Sequence, residues 1–146
     1  MRTLVKVAAG AALLLALAGC GGSTAGFSAL TEKDATAVEL PAHIEVEHVA
    51  PGSVRLLAER DDHSFYVANA LPGGVCLIYA NRQHDSSWLA GCTLAEPRQF
   101  SPTEPSPLEI SGSGINAKLA VDGYDASKDL ADGWEQLHPN LLVRGL

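Results

Sequence analysis

His43-Ile-Glu-Val-Glu-His48 is the densest run of metal-ligating side chains in the chain. In an extended segment His43, Glu45 and Glu47 share one face and His48 takes the other. A strand spaces its alternate residues too widely for three of them to close on one ion. A solvated strand face therefore accounts for this run better than a metal site. Asp125-Ala-Ser-Lys-Asp129 with Asp132 has the acidic spacing of a calcium loop. Counted from Asp125, however, the sharp-turn position is Leu130 and the twelfth position is Gln136. Glycine and a bidentate glutamate are needed there, so acidic capping of a short helix fits better. His63 beside Asp61 and Asp62, and His84 beside Asp85, have the composition of turns. Serine, histidine and aspartate are all present, but Ser111-Gly-Ser-Gly114 lacks the first glycine of a nucleophile elbow. Pro72-Gly-Gly74 leads into no helix bearing a lysine, so it is no phosphate loop. The residue pattern thus assigns no catalytic residue, no metal ligand and no cofactor.

The amino terminus is more specific. Arg2 and Lys6 precede an apolar run that ends Leu17-Ala18-Gly19-Cys20. A positive start, a short apolar core and small residues make a secretory signal. The apolar core is too short for the roughly 20 residues that cross a bilayer as a helix. Leu17-Ala18-Gly19-Cys20 resembles the lipobox of bacterial lipoproteins. That resemblance implies acylation of the Cys20 thiol, cleavage before it, and a protein held at the extracytoplasmic face of the cell membrane. The expected organisation is a signal over residues 1–19, the lipidated Cys20 and a flexible tether over 20–36, and one globular domain over 37–146.

Cleavage would leave 127 residues, enough for one core. It would also leave eight Lys and Arg against 17 Asp and Glu, a net charge of −9. An acidic surface disfavours phosphate backbones, so nucleic acid is not an expected partner. With no polybasic patch, the lipid alone would supply membrane attachment.

Cys76 and Cys92 remain once Cys20 is given to the lipid. Outside the cytoplasm such a pair is normally oxidised; free thiols or half of a metal site are the alternatives. The elements that must position them read as follows. Val75–Tyr79 and Trp88–Cys92 are apolar and β-rich, separated by the polar stretch 81–87. Placing Cys76 opposite Cys92 centres the connection on His84, sets Ile78 against Ala90 and Ala80 against Trp88, and puts Tyr79 and Leu89 on the other face. Both faces are apolar, which predicts a central hairpin. Ser64–Asn69 is a further strand, His43–Val49 alternates like a half-buried one, and Ser53–Arg60 suits either a strand or a short helix. Prolines 97, 102, 105 and 107 predict an extended connection. Two short strands follow near 108–111 and 117–121. A helix is expected within 125–138 on Leu130, Trp134 and Leu137, weakened by Gly133, and a strand over 140–144 ends the chain. Tyr79, Trp88 and Trp134 are read as core in a chain this poor in aromatics. The fold class expected is α+β, a small mainly antiparallel sheet domain with one or two short helices and one disulfide.

Ser53-Val-Arg-Leu-Leu, Phe65-Tyr-Val-Ala, Gly74-Val-Cys-Leu-Ile and Ala90-Gly-Cys92 together resemble a pattern in small exported proteins of high-GC actinobacteria that carry one cysteine hairpin. The likeness spans about forty residues and implies the bridge and the compartment. It hands over no catalytic residue. The function expected is a lipid-anchored envelope protein, a non-enzymatic binding or accessory module with an envelope protein as partner. An envelope hydrolase or a metal-binding lipoprotein with a site assembled from distant residues is the alternative.

Overall fold

The computed structural model describes residues 26–32, 36–93, 100–103, 106 and 108–146. The leader, Cys20 and most of the proline-rich connection lie outside them. Apolar, β-favouring runs punctuated by Asp61-Asp62, Pro72-Gly-Gly74 and the polar stretch 81–87 form an antiparallel meander. Its strands are β1 (Arg55–Arg60), β2 (His63–Asn69), β3 (Val75–Asn81) and β4 (Trp88–Thr93), paired in that order. Ser53–Arg60, open between helix and strand in the sequence, is thus largely strand.

The cysteine register is as expected: Cys76 faces Cys92, Ile78 faces Ala90 and Ala80 faces Trp88. The two sulfurs are bonded. Their Cα atoms are 4.0 Å apart, below the roughly 4.4 to 6.8 Å usual for a bridge. Directly opposed residues of an antiparallel ladder approach to about 4.5 Å in the closer of their two pair types, and the bridge spans such a pair. The hairpin is not central, however. β4 is an edge strand with β3 as its hydrogen-bonded neighbour, and its residues are half-buried.

A second antiparallel sheet contains β5 (Glu109–Gly112), β6 (Ile115–Leu119), β7 (Glu135–His138) and β8 (Leu141–Arg144), in the order β5-β6-β8-β7. The inner faces of the two sheets share one core. Phe65, Val67, Leu77 and Tyr79 from the first sheet meet Ile115, Leu119, Leu141 and Val143 from the second. The flanks also close. Arg60 of β1 pairs with Glu135 of β7, and β4 lies against β5. There the close approach requires glycine, since a Cβ on Gly91 would stand 2.9 Å from Ile110 Cγ2. Gly91→Ala is expected to lower stability by about 1–3 kcal/mol through overpacking, measurable as a shift of the urea midpoint.

The outer face of the first sheet is buried too. Val38, Leu40, Ile44, Val46 and Val49 pack on Tyr66, Cys76, Ile78 and Trp88. This is the segment expected to be a strand at 43–49, and it is not one. It joins a ladder only at the single bridge between Val49 and Ala70, and His48 adopts a positive φ of 68°. The alternation is real but serves packing: Ile44 is buried and Val46 half-buried, while Glu45 and Glu47 face solvent. The chain lies across the outer face of the sheet and, apart from that bridge, its side chains pack there without joining the ladder.

The expected helix at 125–138 is also shorter. The helix α2 covers Ser127–Ala131. Gly133 then takes φ 85°, a left-handed step that terminates helices, and the following residues pair with β8 as β7. Leu130, expected to face the core, is exposed, whereas Trp134 is buried.

The packed fold begins well before residue 37. Ser28–Thr31 form a single helical turn, α1. Phe27 is 2% exposed within the shared core and meets Phe100 edge-on at 6.1 Å. Residues 26–32, assigned by sequence to the tether, are therefore part of the domain.

Candidate functional site

Lys118 interrupts the apolar run Ala117-Lys-Leu-Ala-Val121 on β6. Ala117 and Leu119 face the shared core, so strand alternation sends Lys118 to the outer face of the second sheet. There α2 and Trp134 cover it. A long cation in that position must find an anion or incur a desolvation cost. It finds Asp129 of α2: Lys118 Nζ donates to Asp129 Oδ1 at 2.5 Å. Both residues are 8% exposed. Tyr124 Oη donates to the other carboxylate oxygen at 2.6 Å. The Lys118 ammonium also lies 4.1 Å from the centroid of the Trp134 ring, and the Arg144 guanidinium stands 4.8 Å from it. Cation–π attraction of this kind strengthens as the cation loses water.

Asp129 and Tyr124 each constrain the other's proton. Tyr124 is pushed up to about 12, first by its hydrogen bond to Asp129, then by burial and by the charges of Asp129 and Asp125. Burial pulls the Asp129 carboxyl upward. Hydrogen bonds from Lys118 and Tyr124, with the charges of Lys118 and Lys128, outweigh it and leave Asp129 below its ordinary value. A tyrosine this reluctant to ionise is no base at neutral pH, and a carboxylate with both oxygens engaged is a poor one. The trio lines an open cavity of about 630 Å³ with Glu109, Asp125 and Lys128.

Asp125 does not act with Asp129. Its Oδ1 accepts from the Ser127 backbone N–H at 3.0 Å and from the Ser127 hydroxyl at 2.5 Å, a tight turn just ahead of α2. The N-cap position itself is Ala126, which makes no side-chain capping bond, so the acidic cap expected from the sequence is not formed there. The histidines are scattered. His43 approaches Asp85 at 3.7 Å and His48 approaches Glu47 at 4.0 Å. His63 Nδ1 is 2.9 Å from the Tyr79 hydroxyl, with the rings stacked. Among the described residues no three His, Cys, Asp or Glu side chains are gathered to hold a metal ion. The bridge brings Cys76 and Cys92 together; Cys20 lies outside the described residues.

The Lys118–Asp129–Tyr124 cluster went unread in the sequence, although a lone lysine in an otherwise apolar strand was a usable sign of a buried ion pair. A second polar centre was also missed. Asn140 is fully buried. Its Oδ1 accepts from the Ala29 backbone N–H and the Ser28 hydroxyl, each at 3.3 Å. Its Nδ2 donates to Ala120 O at 2.9 Å and to Asp122 Oδ1 at 2.8 Å. Asp122 Oδ1 also accepts from Ser28 N at 2.9 Å. These bonds clamp α1 to the second sheet.

His138 supports the clamp, because its Nδ1 accepts the Asn140 backbone N–H at 3.0 Å. Burial holds His138 below its ordinary 6.5, against the opposing pull of Glu32 and Asp122. The unfolded chain therefore takes up this proton first as pH falls. The stability involved is fully present above pH 6.5 and is lost as pH drops through the lower native value. The melting temperature of wild type is expected to fall from pH ~6.5 to ~5 more steeply than that of His138→Gln, which does not titrate there.

Comparison of the chain with protein-family models, curated proteins and solved structures returns no match.

Proposed function

We propose that the protein is a lipid-anchored module of the bacterial cell envelope, held at the extracytoplasmic face of the membrane, which binds or assists another envelope component and is not an enzyme. One observation carries the non-enzymatic part. Three acid–base groups at the cavity of about 630 Å³ engage one another, with Lys118 on Asp129 Oδ1 and Tyr124 on Oδ2, while Asp125, which also lines it, is held by Ser127. A general base or nucleophile needs a free lone pair directed at substrate, and this cluster holds its own in internal bonds. The anchoring part is supported by the Leu17-Ala18-Gly19-Cys20 run and by the oxidised Cys76–Cys92 pair, which suits an oxidising compartment. Crosslinking on intact cells is expected to join it to a discrete envelope protein.

The test of anchoring is substitution of the acylated residue. Wild-type protein should incorporate a clickable fatty acid and partition with membranes. Cys20→Ser should incorporate none and accumulate as uncut precursor or soluble product. Unchanged labelling and partitioning in Cys20→Ser would refute the anchor.

A further inference from the structure

Gly26 O accepts the Asp122 N–H at 2.8 Å, Phe27 is in the core, and Asn140 and Asp122 hold Ser28 and Ala29. The chain is therefore fixed to the domain from Gly26 onward. Between Cys20 and that point stand Gly21-Gly-Ser-Thr-Ala25. Six peptide steps, however arranged, span at most roughly 20 Å. A domain of this size has a radius of gyration of about 13 Å, hence is roughly 35 Å across. The connection is shorter than the body it holds.

From this, resting on the lipid-anchor reading above, we infer that the domain is oriented at the bilayer. The end carrying α1, Asp122 and the Pro139–Asn140 turn lies against the lipid headgroups. The opposite end, with the Ser113–Gly114 turn and Leu146, points away. Rolling the domain over to bring the opposite end to the membrane needs a chain that wraps half its circumference, on the order of 50 Å for a body this wide. The strand directions define the two ends. β6 runs from Ile115 to Leu119 toward the anchor end, while β8 leaves Asn140 and runs antiparallel to it. The C-terminus returns to the Gly114 turn, where Gly145 sits against Gly114 O.

Charge does not supply this orientation. Glu32 and Asp122 lie at the anchor end, near His138, and carboxylates are not drawn to anionic lipid. Chain length alone does. The surface available to an envelope partner is accordingly the distal end and the flanks. A partner reached at the anchor end must itself be at lipid-headgroup level.

The test uses full-length lipidated protein extracted from membranes and reconstituted into phosphatidylethanolamine–phosphatidylglycerol vesicles. With Cys20 acylated and Cys76–Cys92 bridged, Glu32→Cys and Leu146→Cys each supply one free thiol for a fluorophore. Nitroxide on the lipid headgroups should quench the label at position 32 several-fold more than the label at position 146. A Gly/Ser linker of about 20 residues inserted between Ala25 and Gly26 removes the length restraint and should equalise the two. Equal or reversed quenching in the native-length protein would overturn the orientation. Contrast that survives the linker would overturn chain length as its cause. Intact mass measured on the same sample separates the premises: absence of acyl mass on Cys20 would overturn the anchor reading, and this inference with it.

Discussion

Loss of the Cys76–Cys92 bridge is expected to lower stability by about 3 kcal/mol, within the 2–5 kcal/mol range for small exported domains. The bridge closes a loop of sequence separation 16, and the chain-entropy model assigns roughly that value to such a loop. The position adds to the effect. β4 is an edge strand of half-buried residues, so the bridge adds a covalent tie to the ladder that joins it to the buried residues of β3. Urea denaturation of Cys76→Ala/Cys92→Ala, and of wild type with and without thiol reductant, should give the same shift. Amide exchange in the bridge-less protein should accelerate first in β4, where local opening is least opposed. A change below about 1 kcal/mol would mean that the bridge restrains little.

Lys118→Met is expected to cost about 3–5 kcal/mol, the usual consequence of leaving one member of a buried ion pair unpaired. Asp129 would keep the Tyr124 hydrogen bond and lose its cation while remaining 8% exposed. The double variant Lys118→Met/Asp129→Leu should recover much of the loss, because two apolar side chains of similar volume often replace a buried pair at little cost. Denaturant midpoints for the two single variants and the double variant form a closed cycle. Additive losses would show that the pair is not coupled, and a single-variant loss below about 0.5 kcal/mol would show that it is effectively solvated.

The cysteine hairpin was legible because three independent signals agreed there. Two apolar runs, the polar stretch 81–87 centred on His84 and the cysteine spacing all demanded one register, and the observed pairs carry it. Its place in the sheet was not legible. Apolar residues on both faces of β4 reflect packing against the overlying 38–54 segment on one side and against β5 on the other, and neither shows in local pattern. At His43–Val49 the period-two alternation marked Ile44 and Val46 as inward, but it breaks at the positive-φ residue His48, which is exposed while Val49 turns inward. Burial and ladder pairing produce the same pattern, however, and here only burial applies. Between Asp125 and His138 the apolar spacing suggested one long helix; the left-handed step at Gly133 divides it into α2 and β7.

Phe27 and Asn140 were illegible for a different reason. A single aromatic in a run of small polar residues has no period. Phe27 is held by packing in the shared core, and its neighbours Ser28 and Ala29 by hydrogen bonds to residues more than ninety positions away. The same holds for the cluster at the cavity. Asp129 stood out in the sequence only as part of a failed calcium pattern, and its partner Lys118 is on a different element. Side-chain pairs assembled by tertiary packing leave only the indirect sign of a charge in an apolar strand.

The most direct test of the central claim is the intact mass of the protein extracted by detergent from bacterial membranes without reduction. The predicted species begins at Cys20, carries acyl chains on that residue and is two hydrogens lighter for the Cys76–Cys92 bridge. A full-length chain, or one cleaved before Cys20 but with an unmodified thiol there, would contradict the lipid anchor.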